Sequence, residues 1–187
     1  MPRSFVKTPV RGVVEQGRNV YLRAPRSSDR DEFLRLSRAS RELHRPWVYA
    51  PENAREFADY LARSTAASER CFLVCRREDD AIAGVYNVSQ ISRGFFESAY
   101  LGYYAFAPTA AQGLMAEGLQ LVLRHTFRKL KLHRLEANIQ PDNERSKRLA
   151  EHAGFRYEGY SPRYLKIGGR WRDHERWAIT REEWTGR

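Results

Sequence analysis

Tyr103-Tyr-Ala-Phe-Ala-Pro-Thr-Ala-Ala-Gln-Gly-Leu-Met-Ala-Glu117 spells a strand, a loop of small residues and the opening of a long helix. From Gln112 onward the apolar residues Met115, Leu119, Val122, Leu123, Phe127 and Leu130 fall on one helical stripe. A helix that opens in such a loop leaves its first backbone N–H groups unpaired and turns its positive dipole end toward them. Together these hold a phosphate without any basic side chain. The loop is therefore a candidate pyrophosphate cradle, although a glycine at Gly113 also serves an ordinary α/β crossover. It is not a nucleoside-triphosphatase loop, because no Lys follows Gly113, and it lacks the glycine pattern of a dinucleotide site.

Working outward, Val20 to Ala24 reads as a strand, and Ser28 or Asp29 caps a helix running to about Arg41, broken by His44-Arg-Pro46-Trp47. A second helix spans about Glu52 to Ser64. Strands follow over Arg70–Arg76, Ile82–Val88 and Phe96–Phe106, the first two joined by the polar turn Arg77-Glu-Asp-Asp80. Beyond the long helix come a strand from Arg134 to Ile139, a short helix from Asn143 to His152, and Gly154 as its stop. Strands Phe155–Tyr164 and Trp171–Ile179 meet across Gly168-Gly169. The order implies a mixed α/β sheet with helices on its faces. Residues 1–18, with Pro2, Pro9, Gly12 and Gly17 and no clear period, read as a flexible basic arm before a single domain over 19–184.

The 187 residues suit one domain, and 42% hydrophobic with 12% aromatic content excludes wholesale disorder. With 33 Lys and Arg against 23 Asp and Glu, the net charge of +10 predicts an anionic partner without choosing which. No apolar run reaches the ~18 residues of a membrane helix, and the first 18 residues lack a signal-peptide centre. The expectation is a cytoplasmic protein with no membrane contact. Cys71 and Cys75 lie four apart on a strand, ~13 Å from each other on one face, too far for a disulfide. They read as reduced core residues, and no metal site is expected.

The run Tyr100-Leu-Gly-Tyr through Gln112-Gly-Leu-Met-Ala-Glu-Gly-Leu119, then His133-Arg-Leu-Glu-Ala-Asn138, Pro141-Asp-Asn-Glu-Arg-Ser146 and Ala153-Gly-Phe155, resembles the GNAT acetyltransferases. His44-Arg-Pro-Trp47, Glu158-Gly-Tyr160 and Tyr164-Leu-Lys-Ile-Gly-Gly-Arg-Trp-Arg-Asp-His174 extend the likeness to the RimJ/RimL type, which acetylates alanine or serine N-termini of ribosomal proteins. The resemblance covers roughly Val20 to Trp184. It implies the GNAT fold: a mixed, mostly antiparallel seven-stranded sheet with a splayed central strand pair and helices on both faces. It implies acetyl-CoA as co-substrate and a protein N-terminus, most plausibly ribosomal, as acceptor.

Carried over residue by residue, the resemblance places backbone groups of Tyr104, Ala105 and Phe106 along the pantetheine arm. The N–H groups of Gln112, Gly113, Leu114, Met115 and Ala116 would hold the pyrophosphate. Asn143 would fix the cofactor arm, Asn138 would touch the acetyl or pantetheine end, and Ser146 would protonate the departing thiolate. Where the family has Gln or Arg and then usually Gly, this chain has Ala110-Ala111. Ala111 resists a backbone angle that only glycine accepts readily. Gln112, Arg145, Lys147 or Arg148 could supply the missing contact.

Acetyl transfer to an amine needs a neutral amine, a donor for the oxygen that becomes negative, and a proton for the thiolate. A backbone N–H near Ala105 or Phe106 is the candidate donor, and Glu97 and Glu136 are the candidate bases. Both carboxylates, like Asp173-His174, also read as ordinary strand and hairpin residues. Two other functions remain open. One is a non-catalytic RNA-binding or ribosome-assembly factor on the same scaffold, favoured by Arg124, Arg128, Lys129, Lys131 and Arg134 and by Arg3, Lys7, Arg11 and Arg18. The other is an acetyltransferase for a small amine, with a polyamine disfavoured by the basic composition. A monomer and a dimer are both compatible with the sequence.

Overall fold

Alternating apolar residues build one sheet of eight strands in a computed structural model, which describes residues 12–186. The strands are β1 (Val13–Gln16), β2 (Val20–Arg23), β3 (Arg70–Arg76), β4 (Ile82–Ser92), β5 (Ser98–Ala105), β6 (Arg134–Ile139), β7 (Arg156–Ile167) and β8 (Arg170–Thr180). Their spatial order is β1-β2-β3-β4-β5-β6-β8-β7. Neighbours are antiparallel except β5 and β6, whose parallel pairing requires a crossover. That crossover is α4 (Leu114–Arg128); the other helices are α1 (Arg30–Ala39), α2 (Arg41–His44), α3 (Ala54–Arg63) and α5 (Glu144–His152).

Each face of the sheet has its own core. Under α4 and α5 lie Val74, Tyr86, Leu101, Leu119, Val122, Leu123, Leu135 and Phe155. Under α1 and α3 lie Phe33, Phe57, Tyr60, Leu73, Val85, Tyr104 and Phe106, with Cys71 and Cys75 among them. Both cysteines are free, and burial pushes each thiol up to about 11, so they act as small apolar residues. α1 is tied to the sheet by a buried ion pair in which Arg23 donates to both oxygens of Asp29 at 2.7 and 2.8 Å.

Two expectations change. The eighth strand, Val13–Gln16, comes from the segment read as an arm. Its four residues are too short to show a period, and tertiary contacts supply the reason for its order. Val14 packs on the core under α4, while Glu15 accepts from Arg124 at 2.7 Å and lies 3.6 Å from His125. Residues 1–11 of the proposed arm, with Arg3, Lys7 and Arg11, lie outside the described residues. The helix expected to run to Arg41 instead breaks at Ser40, whose hydroxyl donates to Leu36 O and accepts from Ala107 N. The diverted hydroxyl joins this helix pair to the end of β5, and α2 then carries His44 toward the sheet centre. No described helix is long and apolar enough to cross a membrane.

Candidate active site

β5 ends at Ala105, and a single tight turn over Ala107–Thr109 leads into the small-residue loop. The buried Thr109 hydroxyl donates toward Ala83 O and Phe106 O, holding the turn on β4. Ala111 then adopts φ +61 and Gly113 φ +76, both left-handed, so that α4 starts at Leu114 and not at Gln112. Tyr86 fixes this start by donating its hydroxyl to Met115 O at 2.7 Å. The closeness depends on Gly84, where a Cβ would stand 2.4 Å from the Met115 sulfur and 2.7 Å from Tyr104 O. The N–H groups of Ala111 to Ala116 find no acceptor among the described residues, as the first turn of a helix requires. They form one row of donors facing a cleft of about 830 Å³.

The cleft runs from this loop between Tyr103, Tyr104 and Ala105 on one side and Asn143, Ser146 and Leu149 on the other, reaching His44 and Trp47. It exists because β5 and β6 part company. Their pairing stops at Tyr100 and Glu136, while β5 continues to Ala105 and β6 to Ile139. The corner is open: the Ala111 methyl and the Met115 side chain line the cleft, and the Met115 sulfur lies toward Gly84. Unpaired N–H groups, an unfilled space at Gly113 and a channel to the parted strands together fit a diphosphate with a long arm.

Backbone direction corrects part of the expectation. Phe106 N donates to Ala83 O at 2.8 Å, so by antiparallel alternation the groups of Phe106 and Tyr104 turn to β4. Tyr103 and Ala105 face the gap instead. Of the expected trio only Ala105 does so, and its carbonyl already accepts from His44 Nε2 at 2.8 Å. Burial lowers the His44 pKa, so the ring is a neutral donor in this bond. That leaves the Ala105 N–H as the donor that points into the gap.

Asn143 caps α5 by accepting from Ser146 N at 3.2 Å, which aims the Ser146 hydroxyl inward. Ser146 Oγ lies 2.7 Å from the Tyr103 hydroxyl. Burial pushes Tyr103 up to about 12, so it stays a neutral phenol. Gln112 bends back to donate to Pro108 O, and Lys147 is held by Glu144 at 2.7 Å, so neither leans over the cradle. Arg145 and Arg148, exposed on α5, line the cleft.

The two carboxylates are not brought to the cleft. Glu97 precedes β5 at its far end, ~26 Å of extended chain from Ala105, and its carbonyl accepts from His133 N and Arg134 N. Glu136 sits at the vertex of the gap but accepts from Arg134 at 2.9 Å, inside an ion cluster with Glu158. Asn138 also misses the cleft lining: it projects from the opposite face, away from the core residues Ala137 and Ile139. Its Oδ1 is buried without a partner among the described residues. Asp173 binds the Tyr160 hydroxyl and Arg163 N, and His174 sits against Arg172 O, all within the β7–β8 hairpin.

A family model described as an acetyltransferase (GNAT) domain matches residues 19–156. The chain belongs to the GNAT acetyltransferases. It is an N-acetyltransferase with acetyl-CoA as co-substrate. Probable N-acetyltransferase YjcK of Bacillus subtilis is 33% identical over 172 residues, 88% of this chain and 95% of its own. The ribosomal protein uS5 alanine N-acetyltransferase of Escherichia coli is 42% identical over 108 residues, 58% of this chain and 56% of that one. Mycobacterium smegmatis RimJ, solved in complex with CoA-disulfide, superposes with a TM-score of 0.81 at 29% identity, covering 88% of this chain and 83% of that one. The likeness is thus to the RimJ/RimL type. In this GNAT domain, His44 is the cleft residue to which the sequence assigned no role, and of Tyr103 and Tyr104, which alternate sides of their strand, Tyr103 is the one beside Ser146. His44 lay within the quoted His44-Arg-Pro-Trp47 motif, which was the signal available.

Ala111 gives a direct test of the cradle. A non-glycine residue pays ~1–2 kcal/mol in the left-handed region, against ~0.4–1 kcal/mol that alanine gains over glycine in the unfolded chain. Ala111→Gly is expected to leave stability level or raise it by up to about 1.6 kcal/mol. It is also expected to tighten acetyl-CoA binding, because the cradle no longer strains to keep its donors aligned. Urea midpoints and calorimetric titration check both, and weaker binding would contradict the account.

Proposed function

We propose that this enzyme acetylates the α-amine of a protein N-terminus, most plausibly that of a ribosomal protein. The observation that carries the reading is a gap open on both faces of the sheet. On one face lies the donor cradle. On the other, Gly102 stands exposed in the middle of β5 with nothing within 4 Å of where a Cβ would lie. Counting two residues on from the last pair, Tyr100 and Glu136, sets Asn138 opposite Gly102 across the gap, and an incoming amine would give its buried, unpartnered Oδ1 a donor. An extended peptide end needs such a slot. Trp47, Tyr100 and the neighbouring Tyr164 would wall it.

Acetyl-CoA supplies an activated acyl group as a thioester. An α-amine titrates near ~7.7 to 8.0, so a large neutral fraction exists at pH 7 to 8 and no strong base is required. This agrees with a site that brings neither Glu97 nor Glu136 to the reacting end. The Ala105 N–H stabilises negative charge on the carbonyl oxygen, a contribution of ~3 kcal/mol for one such donor. Ser146 Oγ gives its proton to the departing sulfur and regains one from the Tyr103 phenol, which is restored through water by the proton that the acylated amine sheds.

A polyamine acceptor is disfavoured by the rim. Arg45 lies over the Tyr49 ring at 4.8 Å, and the hairpin tip at Gly168, with exposed Lys166 and Arg170, rests against Tyr49. Lys166 and Arg170 there repel a polycation, while Arg45 is paired with Glu52, and Glu42, Asp142 and Glu144 line the cleft, so spermidine is included in the test. The spermidine N-acetyltransferase of Vibrio cholerae, at 22% identity and a TM-score of 0.76, shares the fold alone. The test is turnover with acetyl-CoA of peptides beginning with Ala or Ser, their Nα-blocked forms, and spermidine. Only the free-amine peptides are expected to react well, and Gly102→Val should lower their kcat/KM at least ~10-fold with unchanged cofactor affinity, by filling the slot. Faster turnover of spermidine would overturn the reading.

A further inference from the structure

The end of the sheet opposite the cleft carries a second surface that acetyl transfer does not use. There the β4–β5 loop presents Phe95 fully exposed and Phe96 70% exposed. The fold brings the end of α4 beside them: Arg93 donates to Leu130 O, and Glu97 O accepts from His133 N and Arg134 N. Arg93, Arg128, Lys129 and Lys131 are all exposed, and no carboxylate of a described residue pairs with any of them. Arg128 lies 5.1 Å over the Trp184 ring, so its guanidinium is held in place. Arg128, Lys129 and Lys131 stand more than thirty residues from the two rings in sequence and are joined to them by the fold, while Arg93 belongs to the rings' own loop.

We infer that this pole, formed by Phe95 and Phe96 among Arg93, Arg128, Lys129 and Lys131, is a docking surface for single-stranded RNA. Exposed rings give bases a face to stack on, and surrounding cations follow the phosphates; this pairing is how sequence-tolerant single-strand binders work. Charge complementarity selects a polyanion, and the rings select one with unpaired bases, since a duplex hides its base faces. A membrane is less well matched. Vesicle insertion wants a continuous apolar face, whereas here two rings on one loop are ringed by charges of both signs, including Glu182 paired to His133. The surface lies at the far end of α4 from the cradle, so occupying it leaves the cleft open.

Fluorescence anisotropy with a labelled single-stranded RNA of about 12 nucleotides tests this, alongside a duplex RNA, vesicles containing phosphatidylserine, and polyglutamate. Single-stranded RNA is expected to bind tightest. The full-length variant with Phe95→Ala and Phe96→Ala should bind it at least about tenfold more weakly. Lys129→Glu with Lys131→Glu should reduce the slope of log K against log salt by about 1.4. Both should acetylate peptide at the unaltered rate. Wild-type RNA affinity in both variants, or tighter binding to duplex, vesicles or polyglutamate, overturns the proposal.

Discussion

Ser146→Ala is expected to lower kcat by about 10² to 10⁴-fold, the usual worth of a positioned proton donor, with acetyl-CoA affinity unchanged. The substitution is clean. Alanine keeps the backbone N–H that Asn143 accepts, so the cap of α5 survives, and it suits a helix interior. What disappears is the hydroxyl 2.7 Å from Tyr103. Tyr103→Phe should cost less, because Ser146 itself remains and the ring keeps its packing against Tyr86 at 5.4 Å. Steady-state kinetics with calorimetric titration separates the outcomes. An unaltered rate in Ser146→Ala would leave the hydroxyl with no role beyond its bond to Tyr103 and remove the proton-donor step.

Asp29→Ala should destabilise the fold by ~3 to 5 kcal/mol, since it strands a buried guanidinium. The side chains of Arg23 and Asp29 are only 9% and 8% exposed, and Asp29 also accepts from Arg26 N at 2.7 Å. Removing Arg23 together with Asp29, as Arg23→Met with Asp29→Leu, should recover most of the loss, because an apolar pair leaves no buried charge unmatched. Urea unfolding reads both. A loss under ~1 kcal/mol in Asp29→Ala would mean that water reaches Arg23 and that the pair behaves as a surface bridge.

Much of the fold was legible where periodicity ran long enough. α4 shows its stripe over four turns, and β3, β6 and α5 match their expected spans: β6 buries alternate residues, and β3 is a short apolar run buried on both faces. β1 was not legible: four residues between Gly12 and Gly17 carry no period, and their order comes from Glu15 meeting Arg124 across 109 positions. The cradle could be located from its small residues, yet the left-handed angle at Ala111 is a property of the closed loop and not of alanine. Which backbone groups face the gap depends on strand alternation, which turns Tyr104 and Phe106 of the expected trio to β4 and leaves Ala105, with Tyr103, on the gap. Glu97 and Glu136 looked alike as strand carboxylates. Only the three-dimensional arrangement shows one at the far end of the sheet and the other committed to Arg134.

The crossover helix also sets a measure of length. Its 15 residues make a rod of about 22 Å between the nest of N–H groups and the Phe95–Phe96 pole. Under the proposed peptide acceptor and RNA docking, a protein tail anchored at that pole must travel at least this far to deliver its first residue to the gap. At ~3.3 to 3.6 Å per residue, that is roughly six or seven residues of fully extended chain. Targets with shorter free tails would fall out of reach, whatever their first amino acid.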